Sequence, residues 1–264
     1  MIEATTTSVG VHARTDEGVL VLELAHPGKR NALTWTMYEQ LARHLSEAAA
    51  RTDLVAVVLT GAGEDGFAAG TDIGSLTDLR SGQDGLDYER RVGAVLDAIR
   101  ALPVPTIAAV RGPAVGAGLA IAATCDVVVA ERGAVFGAPI ARTVGNCLPA
   151  AVVARVASRM GVARATGMLL TAALIPAEEL VASGFVFRLA EEGELDATLA
   201  HLLTGLRRSA PLTLRALTAT TRRVESALPV PDNDDLLLLA YGSADFQEGV
   251  RAFLRKERPE WKGR

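Results

Sequence analysis

Two loops carry the residues best suited to chemistry. Phe67-Ala68-Ala69-Gly70-Thr71-Asp72-Ile73 brings small side chains up to an expected helix start. Arg111-Gly112-Pro113-Ala114-Val115-Gly116-Ala117-Gly118 does the same before the next helix. The first N–H groups of a helix have no intrahelical acceptor, so a start left uncovered by bulky side chains can hold an anion. Two such starts aimed at one oxygen would stabilise an enolate or a tetrahedral oxyanion. Taken singly, each loop reads first as a tight structural turn.

A third, more polar stretch runs from Ala141 to Pro149 and holds Arg142, Asn146 and Cys147. Cys147 could be a nucleophile if its thiol were ionised, with Arg142 as the positive neighbour that ionisation needs. The competing reading is a small buried apolar residue. Arg142 could pair with a substrate carboxylate or equally with Glu131. Among other acids, Asp72 is expected to cap a helix, and Asp87 and Glu89 to face solvent. Gly61-Ala62-Gly63-Glu64-Asp65-Gly66 matches the dinucleotide fingerprint, but its two acids would repel a pyrophosphate and no helical period begins at its third glycine. It reads as a turn, which leaves a nicotinamide oxidoreductase as a distant third reading of function.

The elements that position these loops alternate β and α. An apparent hairpin (Val9 to Leu24) leads into a helix (Thr34 to Ala50, with Thr36-x-x-Glu39 as a capping box), then a doubly covered strand at Leu54 to Thr60. A helix over Asp84 to Leu102 stops at Pro103 and Pro105 before the strand Thr106 to Val110. A short helix ending at Thr124 and a strand from Asp126 to Glu131 follow. After Pro149 the patterns are helical, at 150–160, 161–170, 177–183, 194–209, 212–227 and 234–258, with one strand candidate at Phe185 to Ala190. The reading is an α/β fold with a helical C-terminal part.

The chain has 264 residues, 49% of them hydrophobic, enough to bury a full core. Its 27 basic and 31 acidic residues leave a net charge of −4, and no run of one sign offers a nucleic-acid footprint. The longest apolar stretch, Ala114 to Ala130, is shorter than the ~20 residues of a membrane helix. No secretion signal is read at the polar N-terminus, so a cytoplasmic protein is expected. Two cysteines and four scattered histidines imply no metal.

Taken in order, several segments resemble the crotonase (enoyl-CoA hydratase/isomerase) superfamily along nearly the whole chain. His26-Pro27-Gly28-Lys29-Arg30-Asn31-Ala32-Leu33 is similar to the family's N-terminal CoA loop, and Phe67 to Ile73 and Val110 to Gly118 to its two oxyanion segments. Pro103 to Val110 and Cys125-Asp126 fit the pattern around the second loop, and Gly249 to Lys256 matches the last helix. The resemblance implies a spiral of ββα repeats over residues 1–200, a helical trimerisation region over 201–264, and homotrimers or hexamers. It gives the oxyanion N–H groups to Thr71 and Ala117, where commoner Ala and Gly are replaced by residues expected to crowd the pocket. It assigns CoA to Lys29, Arg30, Ala32, Ala68, Ala69, Asp72 and Ile73, with Phe253 and Lys256 covering the nucleotide. CoA enters as part of the substrate, and no permanently bound cofactor is implied.

The same resemblance shows a departure. The two glutamates of family hydratases fall on Ala120 and Ile140, which cannot transfer protons. Members that dehalogenate or cyclise thioesters carry an aspartate near Asn146 and Cys147, which makes Arg142, Asn146 and Cys147 candidates for the chemistry. The expected function is an acyl-CoA enzyme working through a thioester enolate, a lyase or isomerase with ordinary hydratase activity in doubt. The alternative is a non-catalytic acyl-CoA-binding subunit.

Overall fold

A computed structural model describes residues 8–64, 66–227 and 229–264. Strands β1 (Gly10–Asp16) and β2 (Val19–Ala25) form the expected antiparallel hairpin. Helix α1 (Trp35–Ala49) is capped by Thr34 rather than Thr36: the Thr34 hydroxyl accepts from the Met37 N–H at 3.3 Å. Strand β3 (Ala56–Gly61) leads through the first small-residue loop to α2 (Gly82–Ala101), which opens on a capping box of Ser81 and Asp84. Next come β4 (Thr106–Val110), β5 (Pro113–Val115), α3 (Ala117–Thr124), β6 (Val127–Glu131), β7 (Val135–Gly137) and α4 (Ile140–Thr143). The chain continues through α5 (Ala150–Met160), α6 (Val162–Thr171), β8 (Leu174–Pro176), β9 (Arg188–Ala190), α7 (Leu195–Arg207), α8 (Pro211–Ser226), α9 (Asp234–Tyr241) and α10 (Ala244–Arg255).

The main sheet has the order β1-β2-β3-β4-β6-β9 and is parallel from β2 onward; β5, β7 and β8 make a second, smaller sheet. After β4 the chain turns into β5 and then α3, and after β6 into β7 and then α4. The turn after β3 is similar, because Ala68 bridges Ala114 of β5 before the chain reaches α2. This is the expected spiral of ββα repeats.

Burial on both faces explains the continuous aliphatic strands. Leu20, Leu22 and Leu24 of β2 enter the larger core with α1. Val19 and Val21 pack on the other side with Val58, Ile107 and Val129 beneath Leu195 and Leu199 of α7. Each fully buried Leu or Val contributes roughly 1.5–3 kcal/mol, and a strand covered on both faces must be apolar on both.

One polar knot fixes α8 against the strand ends. Arg222 donates from Nε to Asp126 Oδ1 at 2.9 Å and from Nη2 to Oδ2 at 2.5 Å, and Nη1 reaches the Arg100 and Leu102 carbonyls. Thr106 adds its N–H and hydroxyl to Asp126 Oδ2 at 2.7 and 2.8 Å. Four separate elements are tied there by a matched ion pair.

The structure corrects several expected elements. The helix expected over 234–258 breaks at Gly242, because Ser243 caps α10 by accepting from the Phe246 N–H. Residues Ala177–Leu180 form one 3₁₀ turn instead of a helix, and the strand expected from Phe185 shortens to β9. Strands β5, β7 and β8 are three residues each, too short to show a period. Leu212, Leu217 and Val224 of α8 and Leu239 of α9 are exposed. Among the described residues, no helix is long and apolar enough to cross a membrane.

Candidate active site

The two small-residue loops meet. Phe67, fully buried, anchors the first, and the N–H groups of Phe67 and Ala68 both donate to the Pro113 carbonyl at 3.1 Å. Val115 N–H returns a bond to the Ala68 carbonyl at 2.9 Å. Further on, Leu33 N–H donates to Gly70 and Asp72 N–H to Leu33, each at 2.8 Å, a parallel bridge in which Leu33 faces Thr71. In that pattern the residues flanking Thr71 make the bonds, and its own N–H points away from Leu33. On that other side lies the second loop: a Cβ added to Gly70 would sit 3.2 Å from the Val115 oxygen and 3.7 Å from the Ala117 nitrogen. Ala117 is the first residue of α3, so its N–H has no intrahelical acceptor.

Glycine is required where the loops touch. A Cβ on Gly118 would lie 2.1 Å from the Ala68 oxygen, far inside contact distance. Gly116 holds φ 56° and ψ −116°, a conformation open to glycine alone at little cost.

Both loops line one cavity of about 730 Å³, well within the range of small-molecule sites. Gly70, Thr71 and Ala117 form part of its wall, and Ala120 and Ile140 also line it. Lys29, Arg30, Ala32, Ala69, Asp72 and Ile73 line it, as do Phe253 and Lys256 from the end of α10. Here the chain's own last helix contributes to its own cavity. Phe253 is 48% exposed, so it is not core, and Lys29 makes a loose ion pair with Asp72 at 3.4 Å. Asp72 also caps the 3₁₀ turn Ile73–Leu76, accepting from the Gly74 N–H at 3.3 Å.

Helix α2 supplies another wall, and its polar residues form two linked clusters. Thr71 does carry a branched side chain, but its hydroxyl is tied into the wall, bonding Tyr38 at 2.7 Å and Tyr88 at 2.6 Å. Burial holds both tyrosines above their ordinary range, so they stay neutral. The next residue, Glu89, is also buried, and its Oε1 accepts from the Tyr241 hydroxyl of α9. Asn146 donates from Nδ2 to that same hydroxyl at 2.8 Å, while Asn146 Oδ1 is buried with no partner among the described residues. Burial pushes the Glu89 carboxyl up to about 7, against the lowering effect of the Tyr241 bond.

Other expected residues fall elsewhere. Ala68 is fully buried behind the wall with both backbone groups engaged, so it shapes the loop rather than lining the cavity. Arg142 turns outward and donates to the Ala172 carbonyl at 2.9 Å, and Glu131 is paired instead with Arg111 at 3.1 Å. Cys147 is half-buried beside the cavity, its thiol facing the Leu148 carbonyl and pushed up by burial, which opposes thiolate formation. Asn146 alone of these three is on the wall.

The sequence reading places Glu89 among the possible acids but facing solvent, whereas it is buried, and it does not single out Tyr241. A signal existed: Leu86, Glu89, Val92 and Leu96 recur at helical spacing, so Glu89 lies on the apolar stripe of α2 while Asp87 and Arg90 face out. After the third glycine of the dinucleotide-like motif the chain does not enter a helix, and the first helical turn waits until Ile73. Among the described residues, no group of three or more metal-ligating side chains is assembled.

A family model described as enoyl-CoA hydratase/isomerase matches residues 14–264. The chain is 34% identical to 2,3-dehydroadipyl-CoA hydratase of Escherichia coli over 252 residues, covering 93% of this chain and 96% of that one. It is 31% identical to 1,2-epoxyphenylacetyl-CoA isomerase of the same organism, covering 96% and 98%. Its fold is similar to that of a methylmalonyl-CoA decarboxylase crystallised with 2S-carboxypropyl CoA, with a TM-score of 0.86 at 24% identity over 98% of this chain and 100% of that one.

Proposed function

The chain belongs to the enoyl-CoA hydratase/isomerase family, and from that premise we propose that it holds an acyl-CoA with the thioester carbonyl at the Thr71 and Ala117 N–H groups and acts through the thioester enolate. The observation that supports this reading is the close approach of Gly70 to the Ala117 nitrogen, with Thr71 and Ala117 both lining one cavity. Donors fixed there before substrate arrives stabilise the charge that develops on the carbonyl oxygen, without reorganising. Lys29, Arg30, Ala32, Ala69, Asp72 and Ile73 make the path for the pantetheine and adenine, and Phe253 and Lys256 cover the nucleotide and meet phosphate.

Ala120 and Ile140 take the places of the two hydratase glutamates. Each missing acid–base group costs roughly a hundredfold or more, so ordinary crotonyl-CoA hydration is expected to be slow. The reaction is therefore another lyase or isomerase step on the same enolate. The exposed apolar residues of α8 and α9 support a homotrimer or hexamer built through residues 201–264.

Titration calorimetry with CoA and a panel of acyl-CoAs, followed by mass spectrometry of the products, tests the proposal. Saturable binding of acyl-CoA and turnover of at least one ester are expected, with little hydration of crotonyl-CoA. Failure to bind any acyl-CoA would reject the reading.

A further inference from the structure

The cavity lacks a proton-transfer group at Ala120 and Ile140, yet a carboxyl stands on another wall. Glu89, on the apolar stripe of α2, lines the cavity that Thr71 and Ala117 also line. Gly85, one turn earlier, makes this possible. A Cβ there would lie 2.1 Å from the Tyr241 ring, so only glycine lets that ring press on α2 and bring its hydroxyl to Glu89 Oε1. Asn146 fixes the hydroxyl from the far side. Among the described residues the carboxylate makes no ion pair and no second hydrogen bond is found for it.

We propose that Glu89 is the acid–base group of this site, taking an α-proton from the bound acyl-CoA and returning it to carbon, with Tyr241 and Asn146 as its positioning residues. The inference rests on the acyl-CoA reading above. In the forward step the α C–H bond breaks, the proton passes to the Glu89 carboxylate, and the electron pair moves to the thioester oxygen at the Thr71 and Ala117 N–H groups. In the return step the carboxyl O–H breaks and the carbon is reprotonated, so no other reactant is consumed.

The groups around Glu89 support this role. Tyr38 of α1, Tyr88 of α2 and Tyr241 of α9 are all raised by burial, as is Cys147 of the loop between α4 and α5, so none competes for ionisation near neutrality. Asp97, Arg100 and Arg155 also line the cavity, and Arg90, Asp232 and Asp234 line a smaller pocket that Glu89 also borders, with Arg90 paired to Asp234 at 3.0 Å. A carboxyl held up to about 7 by burial is matched to proton transfer at neutral pH.

The test is exchange of the α-protons of butyryl-CoA in D2O, followed by mass spectrometry, with binding measured in parallel by calorimetry. The native protein should incorporate deuterium at a rate that rises with pH to a plateau above about 7. Glu89→Gln keeps the shape and an acceptor for Tyr241, and should lose exchange by about a hundredfold or more while binding within a few-fold of native. Tyr241→Phe removes a bond that favours the ionised carboxyl, so its profile should move to higher pH, which a purely structural role would not cause. Undiminished exchange by Glu89→Gln overturns the proposal. So does native protein that binds butyryl-CoA without exchanging it, an outcome that leaves the acyl-CoA reading standing; absence of binding rejects both.

Discussion

Two carboxylates, Asp126 and Glu89, sit in polar clusters about the same fold and are treated oppositely. Asp126 receives two guanidinium bonds from Arg222 and two more from Thr106, and the same guanidinium holds the carbonyls that end α2. Among the described residues, Glu89 has one neutral donor, Tyr241, and no ion pair. A carboxylate with charge and hydrogen bonds both matched is fixed in position and serves architecture. One buried with a single neutral donor is held near its titration point, a stability cost that native folds accept at functional sites.

That contrast can be broken or sharpened by four measurements. The largest effect should come from Arg222→Ala, which strands a mostly buried Asp126 and several carbonyls. Loss of one partner from such a pair costs about 3–5 kcal/mol, read as a lower midpoint in urea unfolding; a loss below about 1 kcal/mol would show that the knot is not what holds α8.

Next is the pH dependence of Glu89→Gln. Because burial raises the Glu89 carboxyl from 4.5 to about 7, the folded native protein binds its proton more tightly than the unfolded chain. The native stability is then fully present below pH 4.5 and declines as pH rises through about 7. Glutamine escapes this, so the variant should gain on the order of 3 kcal/mol relative to native between pH 4 and pH 8. A constant difference across that range would place Glu89 in water.

A smaller effect is expected for Thr71→Val, which leaves the Tyr38 and Tyr88 hydroxyls without their shared partner. The cost should be about 1–3 kcal/mol of stability, with acyl-CoA affinity changed only a few-fold because the backbone N–H remains. The smallest belongs to Arg142→Ala. Its guanidinium bonds a carbonyl outside the cavity, so binding and turnover should stay within twofold; a large rise in KM for dicarboxylyl esters would return it to the site.

Much of the frame was legible in the residues. The β/α alternation, the hairpin, and helices α1, α2, α5, α7 and α8 all follow from period, because long amphipathic segments repeat their signal several times. The two small-residue loops were legible as well, since glycine and alanine can leave N–H groups uncovered at a helix start. Glu89 was misjudged because acidic and basic neighbours at 84, 87, 90 and 91 mask its place on the apolar stripe. For Cys147 and Arg142 the limit is different: a polar stretch near a pocket gives no information on which side chains turn inward.

By itself the sequence determined local matters: which segments coil or extend, where glycine must stand, and which backbone donors stay uncovered. It also determined that Ala120 and Ile140 have no side-chain group able to transfer a proton. Only the tertiary structure decided that Gly70 meets Ala117, that Tyr241 reaches Glu89 across 152 residues, and that Arg142 faces away. Periodicity and turn chemistry act over a few neighbouring residues, whereas the meeting of distant side chains depends on how the packed layers close around them.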